Sequence, residues 1–354
     1  MAINSKLIDA HLPSNCKKIA VALSGGADST YLALAAQAWA KPHKAALTGL
    51  IVDHGLRKES GAEAEYVAAK FNEIGIPCAI LKWEGKKPKS NIQEMARIER
   101  YRLLVEYCLK NKIKHLLVAH NKNDQAETVL LRILRGTGVD GLAAMRKLDI
   151  RSGVHIVRPL LNVDRKQIES ELKAKKITWV DDPSNLNEKF DRIKLRNLIN
   201  KQDDPDQWIS RLSLLAKNAA RTRDFIEQEV KKAEKKVCKY FDLNYLTMDF
   251  DKFNKLHMEL QLRVLRNALV KISSVGNSIR LDSLEELLSS LPVLKGKTLH
   301  GCVVIKKGNR IIIFRELASL KGHDLLGRGY LKIIKHLPPV PDRRIYMVLP
   351  ADYK

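Results

Sequence analysis

Over its first 160 residues the chain alternates short apolar or β-branched runs with longer stretches of helical character. The predicted strands are residues 19–23, 47–53, 78–83, 115–120 and 154–160. The predicted helices between them are residues 29–40, 61–74, 90–111 and 124–135. This alternation is typical of βαβ units, so it predicts an α/β fold with a doubly wound, mainly parallel sheet and helices on both faces.

The rest of the chain has a different pattern. Residues 201–205 form a polar run that we interpret as a linker, and residues 207–290 are helical in pattern. Two β-branched runs, 298–305 and 310–314, flank a short turn and predict a hairpin. We therefore predict a first domain of residues 1–205, a smaller helical domain of residues 206–316 that ends in a short β hairpin, and a basic tail of residues 317–354.

The charge of the chain predicts a polyanionic partner. It has 63 Lys and Arg against 40 Asp and Glu, a formal net charge of +23. Residues 1–200 carry 34 basic and 22 acidic residues (+12), and residues 201–354 carry 29 and 18 (+11). Because both parts are basic, we expect an extended surface for nucleic acid or for an anionic membrane surface. A cell interior in which all proteins are rich in lysine is the alternative.

Composition argues against several classes of protein. The sequence has no apolar stretch near the roughly 20 residues that a membrane-spanning helix needs, and its first residues lack the apolar core of a secretory signal. The five cysteines are widely spaced and form no CxxC pair, so we expect neither a disulfide framework nor a structural zinc site. We expect a soluble cytoplasmic protein.

The most informative segment is residues 24–30, Ser-Gly-Gly-Ala-Asp-Ser-Thr, between a predicted strand and a predicted helix. Gly25 and Gly26 permit backbone conformations that a Cβ would exclude, which lets a phosphate approach the main chain. Amides of the first helical turn then bind the anion, and the loop hydroxyls can donate further hydrogen bonds. The alternative is a tight turn in which Asp28 and Ser29 cap the helix.

Residues 24–29 resemble the SGGxDS signature of the N-type ATP pyrophosphatase (PP-loop) family, whose members split ATP between the α and β phosphates. Further segments are similar to the tRNA(Ile)-lysidine synthase family within it: residues 53–57, 119–128, 134–138, 182–185 and 190–196. The resemblance implies an adenine nucleotide α-hydrolase-like fold, with a catalytic domain over residues 1–205 and an accessory tRNA-binding domain over residues 206–316.

The resemblance also implies an ATP site. Its residues are Ser24, Gly25, Gly26, Ala27, Asp28, Ser29, Asp53 and His54. Asp53 follows the end of a strand, where open α/β sheets bind ligands, and its carboxylate can hold Mg²⁺ or the ribose hydroxyls. A polar turn that caps the strand is the alternative.

His120, Asp124 and Glu127 lie after the fourth predicted strand. The family's pattern has His and Asp where this chain has Asn121 and Asn123, so the family's role is carried onto Asp124 alone. The resemblance implies that Asp124 and Glu127 form an anionic pocket for the head group of lysine, with His120 as a further substrate candidate. Helix capping is the alternative.

Four arginines are candidates for binding anions. Arg97 and Arg100 share a helix face, and together they can stabilise the charge that forms on the α-phosphate and on the leaving pyrophosphate. Pairing with Glu94 and Glu99 on a solvated face is the alternative. Arg192 and Arg196 lie four residues apart and are candidates for contact with tRNA or its target nucleotide, the alternative being a solvated basic face. The predicted catalytic residues are Asp28, Asp53, Arg97 and Asp124.

Other conspicuous side chains have simpler interpretations. Trp179 and Trp208 could stack on bases, but we expect them in the core. His115, His155 and His323 show no partner spacing, so we expect structural roles for them.

The resemblance implies a two-step reaction on isoleucine tRNA with a CAU anticodon. The wobble cytidine is adenylated by ATP with Mg²⁺, and free L-lysine then displaces AMP; the family also allows for a homodimer. A tRNA 2-thiolation enzyme of the same fold is the main alternative, but it commonly needs a CxxC pair. A glutamine-dependent amide synthetase leaves the +23 charge unexplained, and a decayed, non-catalytic RNA-binding protein is opposed by the near-complete loop.

Overall fold

The computed structural model describes residues 5–57, 59–85, 87–88, 90–180, 191–241, 245–273 and 279–316, with residues 191–193 as backbone only. The chain divides into two compact units, Met1–Thr222 and Arg223–Lys354. Within the described ranges, no helix is long and apolar enough to cross a membrane. The predicted tail of residues 317–354, with His323, and the motif residues 182–185 and 190 lie outside the described residues.

The first unit is built on a six-stranded sheet. Its strands are β1 (Lys18–Leu23), β2 (Ala46–Asp53), β3 (Cys78–Lys82), β4 (His115–Leu117), β5 (Leu148–Arg151) and β6 (Val154–Val157). Their order is β3-β2-β1-β4-β6-β5, and every pairing is parallel except that of β5 with β6. The predicted mainly parallel sheet is confirmed.

Helices cover both faces of this sheet. They are α1 (Lys6–Asp9), α2 (Ala27–His43), α3 (Ser60–Glu73), α4 (Ile92–Lys110), α5 (Lys122–Leu134), α6 (Val139–Leu142), α7 (Arg165–Ala174) and α8 (Asp191–Asn200). One face carries α2, α3 and α7, and the other carries α4. A separate cluster joins α5 to α8 and to the start of α9 (Pro205–Val237). The four predicted helices are α2 to α5, so the doubly wound arrangement is confirmed.

Successive side chains of β1 point into two different hydrophobic cores. Val21 and Leu23 pack in the core that contains α2, while Ala20 and Ala22 pack in the core that contains α4. Burial on both faces explains the unbroken apolar run in this strand. Because β1, β2 and β4 are parallel neighbours, the loops that follow them meet at one edge of the sheet.

The sequence prediction differs from the structure at the far edge of this sheet. The sequence pattern does not predict β5, because two of its four residues, Asp149 and Arg151, are charged and its other two are exposed. The predicted strands 115–120 and 154–160 are too long, since β4 ends at Leu117 and β6 ends at Val157. The apolar residues beyond these ends are buried in loops.

The second unit contains a five-stranded antiparallel sheet. Its strands are β7 (Cys238–Phe241), β8 (Tyr245–Asp249), β9 (Lys297–Leu299), β10 (Cys302–Lys307) and β11 (Arg310–Arg315), in the order β7-β8-β11-β10-β9. Its helices are α10 (Phe250–Asn254), α11 (Met258–Ser273) and α12 (Leu281–Ser290). The apolar stripe of α11 is buried in the core of this unit, as its helical spacing predicts.

The expectation of helix throughout residues 207–290 is wrong at β7 and β8. These strands are short, but they contain Tyr240, Phe241 and Tyr245, and aromatic residues favour strands. The predicted hairpin is present as β10 and β11, within the larger sheet rather than alone. The boundary between the two units lies inside α9, and Pro205, where we predicted the linker to end, is the first residue of that helix.

Candidate active site at the carboxyl edge of the parallel sheet

The segment between β1 and α2 is a glycine turn that leads directly into the helix. Gly26 is the N-cap residue of α2, so the alternative in which Asp28 and Ser29 cap the helix is wrong. Gly25 has a φ of +81°, and a Cβ on it would lie 2.7 Å from Cγ2 of Val67. Glycine alone meets both demands without strain, which confirms the predicted strand–turn–helix geometry.

Hydroxyl groups brace this loop from within. The Oγ of Ser29 accepts hydrogen bonds from the amide and the Oγ of Ser24, at 3.2 Å each, and donates to the carbonyl of Gly26 at 3.0 Å. Oγ1 of Thr30 donates to the carbonyl of Gly25 at 3.3 Å. The hydroxyl groups that we expected to donate to an anion therefore donate inside the loop. The first amides of α2 have no intrahelical acceptor, so they remain free to bind the anion.

A segment that the sequence does not single out holds the loop from outside. The amide of Val180 donates to the carbonyl of Gly25 at 2.9 Å. Two residues earlier, the carbonyl and the Oγ1 of Thr178 accept from Nζ of Lys70 on α3, at 2.6 and 3.0 Å. We call residues 177–180 the loop brace, because they link α3 to the glycine turn.

A buried asparagine joins α2 to α5. Asn121 is the N-cap residue of α5 and is 1% exposed. Its Oδ1 accepts from the amide of Asp124, and Oδ2 of Asp124 accepts from the amide of Asn121, both at 3.0 Å. Its Nδ2 donates to Oδ1 of Asp28 at 2.9 Å. Asp124 therefore has the capping role that was considered as the alternative, and this cap also places it close to Asp28.

The surroundings of Asp28 disfavour its negative charge. Burial raises the pKa of this carboxyl group, and the charges of Asp124 and Glu169 raise it further. The hydrogen bond from Asn121 and the charge of Arg165 act in the opposite direction, but the net shift is upward. A cationic ligand nearby would favour the ionised form.

Glu127 and Arg196 form a partly buried ion pair. Nε of Arg196, on α8, donates to Oε1 of Glu127 at 2.7 Å, and the Glu127 side chain is 4% exposed. Burial opposes the charge of Arg196, but the negative charges of Glu127, Asp124 and Asp28 raise its pKa. The simple capping alternative for Glu127 and the solvated-face alternative for Arg196 are therefore wrong. We call Asp28, Asp124 and Glu127 the acidic cluster.

Asp53 stabilises the turn after β2. Its Oδ1 accepts from the amide of Gly55 at 2.9 Å and from Oγ of Ser60 at 2.7 Å. Burial acts to raise its pKa, but these two hydrogen bonds and the charge of Lys82 outweigh it, so the pKa of Asp53 is lowered. The carboxylate is therefore ionised at neutral pH. It lies at the carboxyl end of β2, next to the end of β1.

His54 lies against an aromatic ring and a cation. Its imidazole meets the ring of Trp83 edge-on, with centroids 6.1 Å apart. Burial lowers the pKa of His54, and the charge of Arg100 lowers it further. The ring is therefore neutral at pH 7, and a neutral imidazole does not repel a cation at this edge.

Arg97 and Arg100 are half-buried on α4. The guanidinium of Arg97 lies 5.8 Å from the centre of the Tyr101 ring. Glu99 pairs with Arg102 at 2.8 Å. Convergence of the two arginines on a phosphate remains a prediction.

The remaining sequence candidates lie near these groups or outside the described residues. His120 is half-buried in the turn between β4 and Asn121. Arg192 lies on α8, four residues before Arg196, but its side chain is outside the described part of the chain. Trp179 packs against the core of the first unit, as expected, whereas Trp208 is 44% exposed and does not.

His115 and His155, for which sequence spacing indicates no partner, contact each other. They are register neighbours on β4 and β6, and Nδ1 of His155 lies 3.3 Å from Nε2 of His115. Nδ1 of His115 is also 3.4 Å from Sγ of Cys16. Residues far apart in sequence become neighbours through strand pairing, which sequence spacing does not reveal.

The two asparagines that replace His and Asp of the family's pattern both cap helices. Asn121 caps α5, and Oδ1 of Asn123 accepts from the amide of Arg165 at the start of α7, at 3.1 Å. The signal that could have found Asn121 is the Asn-x-x-Asp spacing of a capping box. Beside Asn123 lies a cleft of about 250 Å³ whose charged walls pair with each other, as Lys122 with Asp164 and Lys166 with Asp206.

The donor set suits a magnesium ion that is shared with substrate phosphates. Among the described residues, no group of three or more His, Cys, Asp or Glu side chains could hold a metal ion. Mg²⁺ often binds through one or two carboxylates and completes its coordination with water and phosphate oxygens. Asp53, ionised and at the edge of the sheet, fits such a shared site.

Comparison with known proteins identifies the family. A family model described as a PP-loop domain matches residues 2–203. A tRNA(Ile)-lysidine synthase of Wolbachia pipientis wMel is 38% identical over 309 residues, which cover 86% of this chain and 72% of the relative. The chain belongs to the tRNA(Ile)-lysidine synthase family. A lysidine synthase of Bradyrhizobium diazoefficiens is 34% identical and covers 88% of this chain and 93% of its own length.

Solved structures support the fold of this lysidine synthase family member. The U34-tRNA thiolase NcsA from Methanococcus maripaludis aligns with a TM-score of 0.52 and 18% identity, over 61% of this chain and 78% of that chain. At this level of identity the likeness shows a shared fold and nothing about the reaction. The PP-loop architecture is thereby confirmed, and ATP binding follows from membership of an ATP-using family.

Proposed function

We propose that this chain joins free L-lysine to C2 of the wobble cytidine of isoleucine tRNA with a CAU anticodon. ATP is consumed, and lysidine, AMP and pyrophosphate are formed. The observation that carries this proposal is the meeting of a glycine phosphate loop and an acidic cluster at one sheet edge, through the bond between Asn121 and Asp28, in a chain of this family. The glycine loop fits a triphosphate, and the acidic cluster fits an amine.

In the first step the O2 atom of the cytidine attacks the α-phosphate of ATP. The bond between the α-phosphate and the bridging oxygen breaks, and pyrophosphate leaves with the electron pair. The amides of the glycine turn bind phosphate oxygens. Arg97 and Arg100 supply fixed positive charge for the α-phosphate and the leaving group. Mg²⁺, when bound through Asp53, neutralises further charge on the phosphates.

In the second step the ε-amine of lysine attacks the activated C2. A carbon–nitrogen bond forms, the bond from C2 to the adenylate oxygen breaks, AMP leaves and the nitrogen loses a proton. The acidic cluster binds the ammonium form of the lysine head group before this attack. Because Arg196 pairs directly with Glu127, Asp28 and Asp124 are the members of the cluster left for a cationic ligand. Lysine binding therefore favours the ionised form of Asp28, whose pKa is raised in the free protein.

The charge distribution fits a long RNA partner. With 63 Lys and Arg against 40 Asp and Glu, and a surplus of about equal size before and after residue 200, both parts of the chain can contact phosphates. The domains that we propose are a catalytic domain of residues 1–205, an accessory tRNA-binding domain of residues 206–316 and a basic tail. A homodimer is also proposed, and light scattering at several protein concentrations tests it.

The alternative of a 2-thiolation enzyme is less well supported. The five cysteines form no CxxC pair. Burial raises the pKa of the Cys78 thiol to about 11, and those of Cys108 and Cys302 to about 12. Such thiols are protonated at neutral pH, whereas sulfur transfer needs a thiolate.

The decisive experiment measures pyrophosphate release and incorporation of labelled lysine with defined RNAs. We expect both signals only when ATP, lysine and isoleucine tRNA with a CAU anticodon are present together. A matched tRNA whose wobble base is changed from C to U should give neither. Release of AMP and pyrophosphate in the absence of RNA would contradict the proposal, and so would transfer of sulfur instead of lysine.

A further inference from the structure

Asn121 occupies the junction between the phosphate loop helix and the acidic cluster. Its amide makes two hydrogen bonds in different directions, one from the Asp124 amide to its oxygen and one from its nitrogen to Asp28. A main-chain N–H can only donate, so the oxygen of the Asn121 side chain must face it. The nitrogen must then face Asp28, and the orientation of the side chain is fixed by the backbone.

Among the described residues, one hydrogen bond in surroundings of mixed charge holds the carboxyl group of Asp28. Among the described residues, Asn121 is the group that donates a hydrogen bond to its carboxyl oxygen. The carboxyl is buried, and two of its charged neighbours, Asp124 and Glu169, repel it. Arg165 attracts the carboxylate, but its surroundings as a whole disfavour its charge, so we expect loss of the Asn121 amide to let the Asp28 side chain move. An asparagine does not titrate, so it can donate this bond at every pH.

We propose that Asn121 is a positioning residue for the adenylation step. Its amide fixes the carboxylate of Asp28 at the start of α2 while its other end anchors the start of α5. The inference rests on the proposed function, together with the predicted place of Asp28 in the ATP site. It also gives a role to a position at which this chain departs from the pattern of its family.

Asn121→Ser separates positioning from capping. Serine caps a helix about as well as asparagine, but its side chain is too short to reach Asp28 from the cap. We expect the kcat of tRNA-dependent pyrophosphate release to fall roughly tenfold to a hundredfold, the value of a hydrogen bond to a charged group. The KM for ATP should stay within about threefold, because the lost interaction acts in the transition state.

Asn123→Ser is the matched control. Asn123 lies two residues away and its side-chain oxygen accepts from the amide of Arg165 on α7, so serine there also removes one hydrogen bond to another helix. In the described structure it makes no hydrogen bond to the acidic cluster. We expect both serine variants to unfold at similar temperatures, with a loss of kcat only in Asn121→Ser. Equal losses of kcat in the two variants, or a kcat of Asn121→Ser within about twofold of wild type, would overturn the proposal.

Asn121→Asp provides a second test that does not depend on cavity formation. Aspartate keeps the cap, but it replaces the donor with a carboxylate that repels Asp28, so kcat should fall at least as far as in Asn121→Ser. Full activity of Asn121→Asp would contradict the inference. Failure of the proposed function would look different from failure of this inference, because the wild-type protein itself would then show no tRNA-dependent pyrophosphate release.

Discussion

Asp28, which we propose takes part in ATP turnover, is expected to lower the stability of the folded protein. Its pKa is raised in the folded state, chiefly by burial. As pH rises, the unfolded chain loses this proton first, so ionisation of Asp28 favours unfolding, and the penalty is complete above the folded pKa. We therefore expect Asp28→Asn to raise the Tm at pH 7 while abolishing ATP turnover. Thermal unfolding and pyrophosphate release measure the two effects.

The pH dependence provides the check on this explanation. Asparagine can keep the acceptor oxygen that faces Asn121, so the packing should change little. The gain in Tm of Asp28→Asn should shrink as the pH is lowered toward about 4, where aspartate is protonated in the unfolded chain as well. A gain that is constant with pH would show that charge is not the cause. In parallel, Asp28→Ala should abolish turnover but leave tRNA binding near wild type.

Arg196 is expected to contribute more to stability than an exposed arginine. Its partner Glu127 is 4% exposed, and removing one member of a buried pair leaves a charge in a poor environment. Arg196→Met should lower the free energy of unfolding by about 3 kcal/mol. The matched control is Lys166→Met, since the Lys166 pair with Asp206 is 76% and 61% exposed, and its loss should lower the free energy of unfolding far less. Equal effects in urea denaturation would contradict this difference.

At the same scale, sequence motifs predict which residues meet but not how they are held. The loop and the segment after β4 point to Asp28, Asp124 and Glu127. The amide of Asn121 that joins Asp28 to Asp124 depends on a distance between α2 and α5, which only the folded sheet provides. Arg196 is a sequence candidate, yet its contact with Glu127 spans 69 positions along the chain.

Elements with strong hydrophobic patterns are predictable, and marginal ones are not. β1, with five buried residues in a row, and α2 to α5 follow from pattern alone. The edge strand β5 and the short strands β7 and β8 have weak patterns, because their stability comes from pairing with neighbours. The loop brace has no regular structure at all, so no periodicity could indicate it.

The loop brace should affect ATP binding. Lys70→Met removes the bonds to Thr178, which loosens the segment whose Val180 amide holds Gly25. We expect the KM for ATP to rise about tenfold, as for loss of a charged hydrogen bond, with tRNA affinity unchanged. Lys41→Met, an exposed lysine on α2, is the control and should behave as wild type. An unchanged KM in Lys70→Met would show that the brace does not support the loop.

At the scale of the whole molecule, the proposed function divides the net charge of +23 between two kinds of anion, ATP and RNA. We propose that only Arg97 and Arg100 serve the triphosphate, and Arg196 is already paired with Glu127. Most of the surplus is therefore available for RNA phosphates. Its even distribution along the chain is what a partner as long as tRNA requires, because such a partner can contact both units.

The basic tail provides the test at this scale. Charge reversal of Arg343 and Arg344 should weaken tRNA binding and make it less sensitive to salt, because each lost phosphate contact lowers the slope of log K against log salt by roughly 0.7 to 0.9. A filter-binding titration between about 50 and 200 mM salt covers the range in which the affinity for tRNA depends strongly on salt. Reversal of Lys41 and Lys44 makes the same change in net charge on exposed residues of the first unit. Equal slopes for the two double variants would mean that net charge, and not contact by the tail, governs binding.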